Sequence, residues 1–181
     1  MDLILTVILI VTTLTFFALL YALIYNRFQI YIIKINEVEG NIDNSLRDKY
    51  DTLAKSIKII KNHINSKEEV LEGLSDLKEA KISNFDLDRK LAAFENDFFQ
   101  YKENYPDLDN IKNFNRVCND LKEIDQKLAA YKSYYNDNIT KFNKLIRIFP
   151  SNIVGKLSRF SEKHFYDGKN MSDDDIEDFK L

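Results

Sequence analysis

Residues Leu3 to Tyr25 carry no charged side chain, no proline and no glycine, and they open a chain that is otherwise strongly polar. As a helix rising about 1.5 Å per residue, the run is roughly 35 Å long, enough to cross a hydrocarbon core of about 30 Å with slight tilt. A secretory signal peptide needs a basic first region, a shorter apolar stretch and a small-residue cleavage site, and this run has none of these. The expectation is a membrane-spanning helix that meets the lipid bilayer through residues 3–25. Asp2 precedes it, while Arg27 and Lys34 follow. Because basic residues are retained on the cytoplasmic side, the expected topology is N-terminus outside and domain inside, at the inner (plasma) membrane.

The remaining chain, roughly 155 residues, is long enough for one soluble domain with its own core. The expected division is an anchor over 1–26, a helical bundle over 27–165 and an acidic, mobile tail over 166–181. Charged residues make up 30% of the chain but nearly cancel to a net charge of −3, so the basic footprint that nucleic-acid binding requires is absent. Cys118 is the lone cysteine and has no internal disulfide partner; a buried packing position is expected for it.

Three apolar seams follow the span. The first runs through Phe28, Ile32, Ile35, Ile42, Leu46, Leu53, Ile57, Ile60 and Ile64, in steps of three, four or seven. Only Gly40 interrupts it, so the spanning helix is expected to continue unbroken into the domain. Ser66 and Glu69 then suit a capping box. The second seam, Val70, Leu74, Leu77, Leu87, Leu91, Phe94, Phe98 and Tyr101, weakens at Ser83, Asn84 and Asp86, which leaves one bent helix or two. It stops at Tyr105-Pro106, since proline excludes the helical region for the residue before it. The third is the most regular: Phe114, Val117, Leu121, Ile124, Leu128, Tyr131, Tyr135, Ile139, Phe142, Leu145 or Ile146, and Phe149, ended by Pro150. Beyond it, Ile153, Val154, Leu157 and Phe160 are expected on one side of a short amphipathic piece with Lys156, Arg159 and Lys163 nearby; the pattern resembles a membrane-surface helix, but capping of the bundle's end is the expectation.

Such seams can be buried only against each other. The fold class expected is therefore all-α: an N-terminal transmembrane helix continuing into an elongated antiparallel three-helix bundle, or a four-helix one if the second seam breaks near Asn84. In the up-and-down arrangement Pro106 lies near the bilayer and Phe149 at the far end.

Several ordered motifs go beyond periodicity. Asn104-Tyr105-Pro106-Asp107-Leu108 is followed by Asn113-Phe114, then by Tyr135-Asn136, Phe142-Asn143 and Phe149-Pro150-Ser151-Asn152; upstream stand Ile42-Asp43 and Lys49-Tyr50-Asp51. Together these resemble the bacterial LemA family, from the anchor to about Gly155. The sequence departs from the family at Tyr50-Asp51-Thr52-Leu53-Ala54, which lacks the usual proline, and at Lys132-Ser133-Tyr134, where relatives are arginine-rich. The resemblance implies a membrane-anchored, antiparallel helical bundle with no established enzymatic activity. The residues at Tyr105-Pro106 and Phe149-Pro150-Ser151-Asn152 themselves read as structural, each proline stopping a helix and Ser151 or Asn152 expected to cap the next piece.

Reactive constellations are missing from the pattern. His63 and His164 stand far apart, no serine occupies a Gly-x-Ser-x-Gly turn, and four glycines are too few for a phosphate-cradling loop. The acidic run from Asp173 to Asp178 lacks the alternation and glycine of a calcium loop. An enzyme would need a carboxylate of displaced pKa inside the bundle, such as Asp43 or Asp51. No cofactor, metal or catalytic residue is expected. The functional expectation is a single-pass scaffold or adaptor with an unknown protein partner and a possible homo-oligomer; the alternative is a membrane-organising or envelope-stress protein acting on the bilayer surface.

Overall fold

The computed structural model describes residues 2–64, 73–78 and 82–167. Among these the chain is all-α: α1 (Asp2–Ile64), α2 (Asn84–Asn104), α3 (Lys112–Arg147) and α4 (Ser151–Leu157), with 3-10 turns at Ser75–Lys78 and Pro106–Asn110. The suggested capping box at Ser66 and Glu69 and the tail from residue 168 onward lie outside the described residues.

α1 is one uninterrupted helix of 63 residues. It has no proline, and its one internal glycine, Gly40, faces open space, since a Cβ there would meet nothing within 4 Å. Along this helix the environment changes sharply. Most side chains of the apolar run are exposed and Leu20, Ile24 and Tyr25 half-buried, whereas from Phe28 onward a stripe of Ile35, Val38, Ile42, Leu46, Leu53 and Ile60 is buried. Polar side chains share that stripe: Ser45, Lys49, Thr52 and Ser56 are also buried.

The second seam divides at the place its weak middle marks. Ser83 is the N-cap of α2, its hydroxyl oxygen accepting the Asp86 amide at 3.1 Å while its hydroxyl donates to the Asp86 carboxylate at 2.7 Å. A local alternative of this kind for the backbone is why serine and aspartate favour helix starts over helix interiors. Thus two helical pieces stand where one bent helix was the competing expectation.

Contacts divide the chain into two compact units, one formed by residues up to Glu37 together with those from Tyr135 on, the other by Val38–Tyr134. Both α1 and α3 contribute to each. In the second unit, Asp88 pairs with Lys132, and Glu95 shares Lys49 with Asp125, so residue numbers fall along α3 as they rise along α2. α3 is likewise antiparallel to α1: in the first unit Phe17 and Leu20 lie by Phe149, just past the end of α3, while Phe28, farther along α1, meets Phe142. It follows that α2 runs in the same direction as α1. The expectation that the second helix returns toward the span is therefore corrected; α3 makes the return, and its end comes back to the apolar run.

Candidate functional site

The core of the first unit gathers aromatic side chains from α1, α3 and the segment after α4. Phe28, fully buried, meets Phe142 edge-on at 5.5 Å and Phe160 at 4.9 Å, and Tyr25 stacks on Phe160 at 5.8 Å. Gly155 brings α4 against this cluster, where a Cβ would stand at ordinary contact distance, 3.4 Å, from the Phe28 ring. Fully burying a phenylalanine contributes about 1.5–3 kcal/mol.

The chain after α4 has no regular structure between Phe160 and Phe165, so its backbone groups need partners. Side chains of α3 supply them. The Asn143 amide donates to the Lys163 carbonyl at 2.7 Å, and its oxygen accepts the Lys163 N–H at 2.9 Å. Two helical turns earlier on α3, the Asn136 oxygen accepts the Tyr166 N–H at 2.9 Å, beside the edge-on pair of Tyr135 and Tyr166. Arg147 adds a two-pronged ion pair to Glu162 at 2.7 and 2.8 Å. Those hydrogen bonds hold the Glu162 carboxyl below its ordinary pKa and raise that of the Arg147 guanidinium.

Phe149-Pro150-Ser151-Asn152 forms the turn between α3 and α4, with a cis Phe149–Pro150 bond. Ser151 is buried but does not cap α4; its hydroxyl turns back to the carbonyls of Leu145 at 2.7 Å and Ile148 at 2.9 Å, closing the end of α3. The expected cap is thus replaced by a tie to the preceding helix. The Asn152 oxygen is buried without a hydrogen-bond partner.

This turn does not lie at an end remote from the span, as the up-and-down expectation had it. An apolar groove of about 320 Å³ is walled on one side by Phe17, Leu20, Tyr21 and Ile24 of the apolar run. Its other wall is Phe149, Pro150, Ile153, Val154 and Leu157. The Tyr21 and Ser158 hydroxyls, 3.0 Å apart, hold the two walls together. Only Val154 of the α4 wall is buried; Phe149 is 78%, Leu157 69% and Ile153 51% exposed. The third seam therefore ends before Phe149, and the apolar residues of α4 face two ways instead of one.

In the second unit the turn after α2 plugs the core. The Tyr105 N–H bonds the Tyr101 carbonyl at 3.0 Å, Pro106 starts the 3-10 turn, and Leu108 and Phe114 are fully buried, the latter 5.1 Å from the Phe98 ring. Asn104, Asp107 and Asn113 are exposed around it. Deeper in, the Lys49 ammonium, 3% exposed, lies 2.6 Å from Glu95 and 2.7 Å from Asp125, whose side chains are 10% and 41% exposed. Burial opposes the charge of Lys49, but the hydrogen bonds it donates to two carboxylates outweigh that, so its pKa is raised. Burial raises the Glu95 carboxyl above its ordinary value, a shift that Lys49 opposes and Asp125 reinforces.

Asp43 and Asp51 line an open groove with Leu77 and Leu87, and Asp43 pairs with Arg47 at 3.0 Å. Cys118 is buried, and its thiol pKa is raised by burial. Among the described residues no three histidine, cysteine or carboxylate groups converge to hold a metal.

The LemA family profile matches residues 39–177, well over half of the sequence. The chain belongs to the LemA family. No curated protein matches it significantly. In this LemA chain the ordered motifs fall into two structural sets. Tyr105, Pro106, Leu108 and Phe114 close one end of the second unit, whereas Tyr135, Asn136 and Phe149 to Asn152 build the first. Asn143 stands out within the LemA pattern, since both of its bonds are spent on one backbone position. Apolar periodicity missed Glu95 and Asp125; the available signal was a charged residue on a seam, as Glu95 stands four after Leu91 and three before Phe98.

Proposed function

We propose that this LemA chain is a single-pass membrane-anchored helical scaffold that holds a binding surface for other proteins at the inner face of the membrane, with no catalytic activity of its own. The observation that carries this reading is the change of environment along α1. One continuous helix has an apolar stretch of mean hydropathy 2.7, none of it buried, and then a seam that packs the bundle. A helix of that length and composition is suited to crossing a bilayer, and its continuation without a break passes the anchor's position directly to the bundle. Arg27 and Lys34 support the orientation with the domain in the cytoplasm. The polar groups buried in the bundle support a structural role, since Lys49 is held by both Glu95 and Asp125.

A second reading is favoured by the exposed Phe149, Ile153 and Leu157: the first unit acts on the bilayer surface. Photo-crosslinking in cells from exposed positions of α2 and α3, followed by mass spectrometry, tests the scaffold reading. Recurrent protein partners are expected; crosslinks to none, under varied growth conditions, would contradict it.

A further inference from the structure

We infer that the groove between the apolar run and α4 seats an acyl chain of a bilayer phospholipid, so that the Phe149–Leu157 wall is embedded in the leaflet beside the span. This rests on the reading of the apolar run as a membrane anchor.

The depth argument is geometric. Phe17, Leu20 and Ile24 belong to the run that fills the hydrocarbon, and Phe149 and Ile153 meet those same residues across the groove. Whatever depth the first wall has, the second shares. Other side chains of the run are exposed as well, among them Phe16 at 63%, as are Phe149 and Leu157. Large apolar side chains gathered around one groove are costly to leave in water and without cost in lipid. The groove's volume of about 320 Å³ accommodates roughly ten methylene-sized groups at about 30 Å³ each, and its lining of aromatic and aliphatic side chains suits a chain segment rather than a charged headgroup.

The rim matches a phospholipid as well. Tyr21 and Tyr25 stand at the end of the run, held by Ser158 and Phe160, where amphipathic rings favour the headgroup level. Lys156 and Arg159 are exposed on the segment behind the wall. These two cations at the rim complement an anionic leaflet.

The chain contains no tryptophan, so one introduced indole reports alone. The full-length variants Phe16→Trp, Phe149→Trp and Ile153→Trp are reconstituted in phosphatidylglycerol and phosphatidylcholine vesicles, with brominated or unbrominated acyl chains. Phe149 and Ile153 are exposed, so the replacements disturb no packing, and each position checks the other. The expected result is loss of fluorescence at 149 and 153 to the degree seen at 16. Quenching at 16 alone, with water-like emission at 149 and 153, overturns the lipid site and leaves the anchor standing. Blue-shifted but unquenched emission at 149 and 153 also overturns it, because a second copy or another protein then covers the wall. No quenching at 16 removes the anchor itself and the lipid site with it.

Discussion

Replacing Lys49 with methionine removes the cation that two carboxylates share while nearly preserving volume. Asp125 is 41% exposed, so water screens it and little of the cost belongs to that pair. Glu95 is only 10% exposed and loses its compensating charge, which for a buried pair broken on one side costs about 3–5 kcal/mol. With the partly wet Asp125 nearby, about 3 kcal/mol is expected at pH 8, or roughly 6–12 °C in melting temperature for a chain of this size. The Glu95 carboxyl is already raised by burial, and losing Lys49 raises it further. A carboxyl with a raised folded-state pKa gives most stability below its unfolded value and loses it as pH rises toward the folded value. The penalty should therefore shrink on acidification, by up to about 1.4 kcal/mol per pH unit within that window. In the wild type, Lys49 has the opposite reach: its raised pKa adds stability below the ordinary lysine value that is lost only as pH rises through the raised one. Thermal unfolding of the full chain in detergent, followed by circular dichroism at pH 5 and pH 8, measures the Lys49→Met penalty and its change with pH. Lys49→Met combined with Glu95→Leu should return to within about 1 kcal/mol of wild type, since an apolar substitute for a buried pair is nearly neutral. A single-variant cost under about 1 kcal/mol at pH 8, or one that is the same at both pH values, would refute the argument.

Other perturbations read the first unit. Asn143→Leu strips both partners from the Lys163 backbone and should cost about 2–3 kcal/mol, with faster hydrogen exchange confined to residues around 160–167. Phe28→Ala opens a cavity among Phe142, Phe160 and Val154 and should cost about 3–5 kcal/mol in thermal unfolding. Gly155→Ala places its Cβ at ordinary contact distance from Phe28, so it should be neutral or stabilising by up to about 1 kcal/mol; Gly155→Leu should destabilise, which a melting series separates.

Much of the fold is legible in the residue pattern, and particular residues show where legibility ends. The seam from Phe28 to Ile60 lies on one buried face because α1 has no breaker that could reset its phase. The Ser83 cap is likewise written in the local sequence. Helix direction is not: the amphipathic stripe of α2 is equally buried whether the helix runs up or down, so periodicity could not foresee that it follows α1. That one ambiguity carried Phe149 to the wrong end and led α4 to be read as a plain cap. The Lys49, Glu95 and Asp125 cluster was hidden for a related reason, because three charges on three helices pair only once the register is known. Asn136 and Asn143 were visible as motif residues, but their role depends on an irregular segment some 20 to 30 residues later.

The fate of the apolar run decides most directly whether the bundle is a membrane-anchored scaffold. Membranes from cells making the chain are washed with alkaline carbonate, and the intact mass of the protein is determined in the pellet and in the supernatant. The expected result is the full 21.3 kDa chain in the washed pellet, with Leu3 to Tyr25 retained. A shorter chain, free in the supernatant and lacking that run, would contradict the anchor.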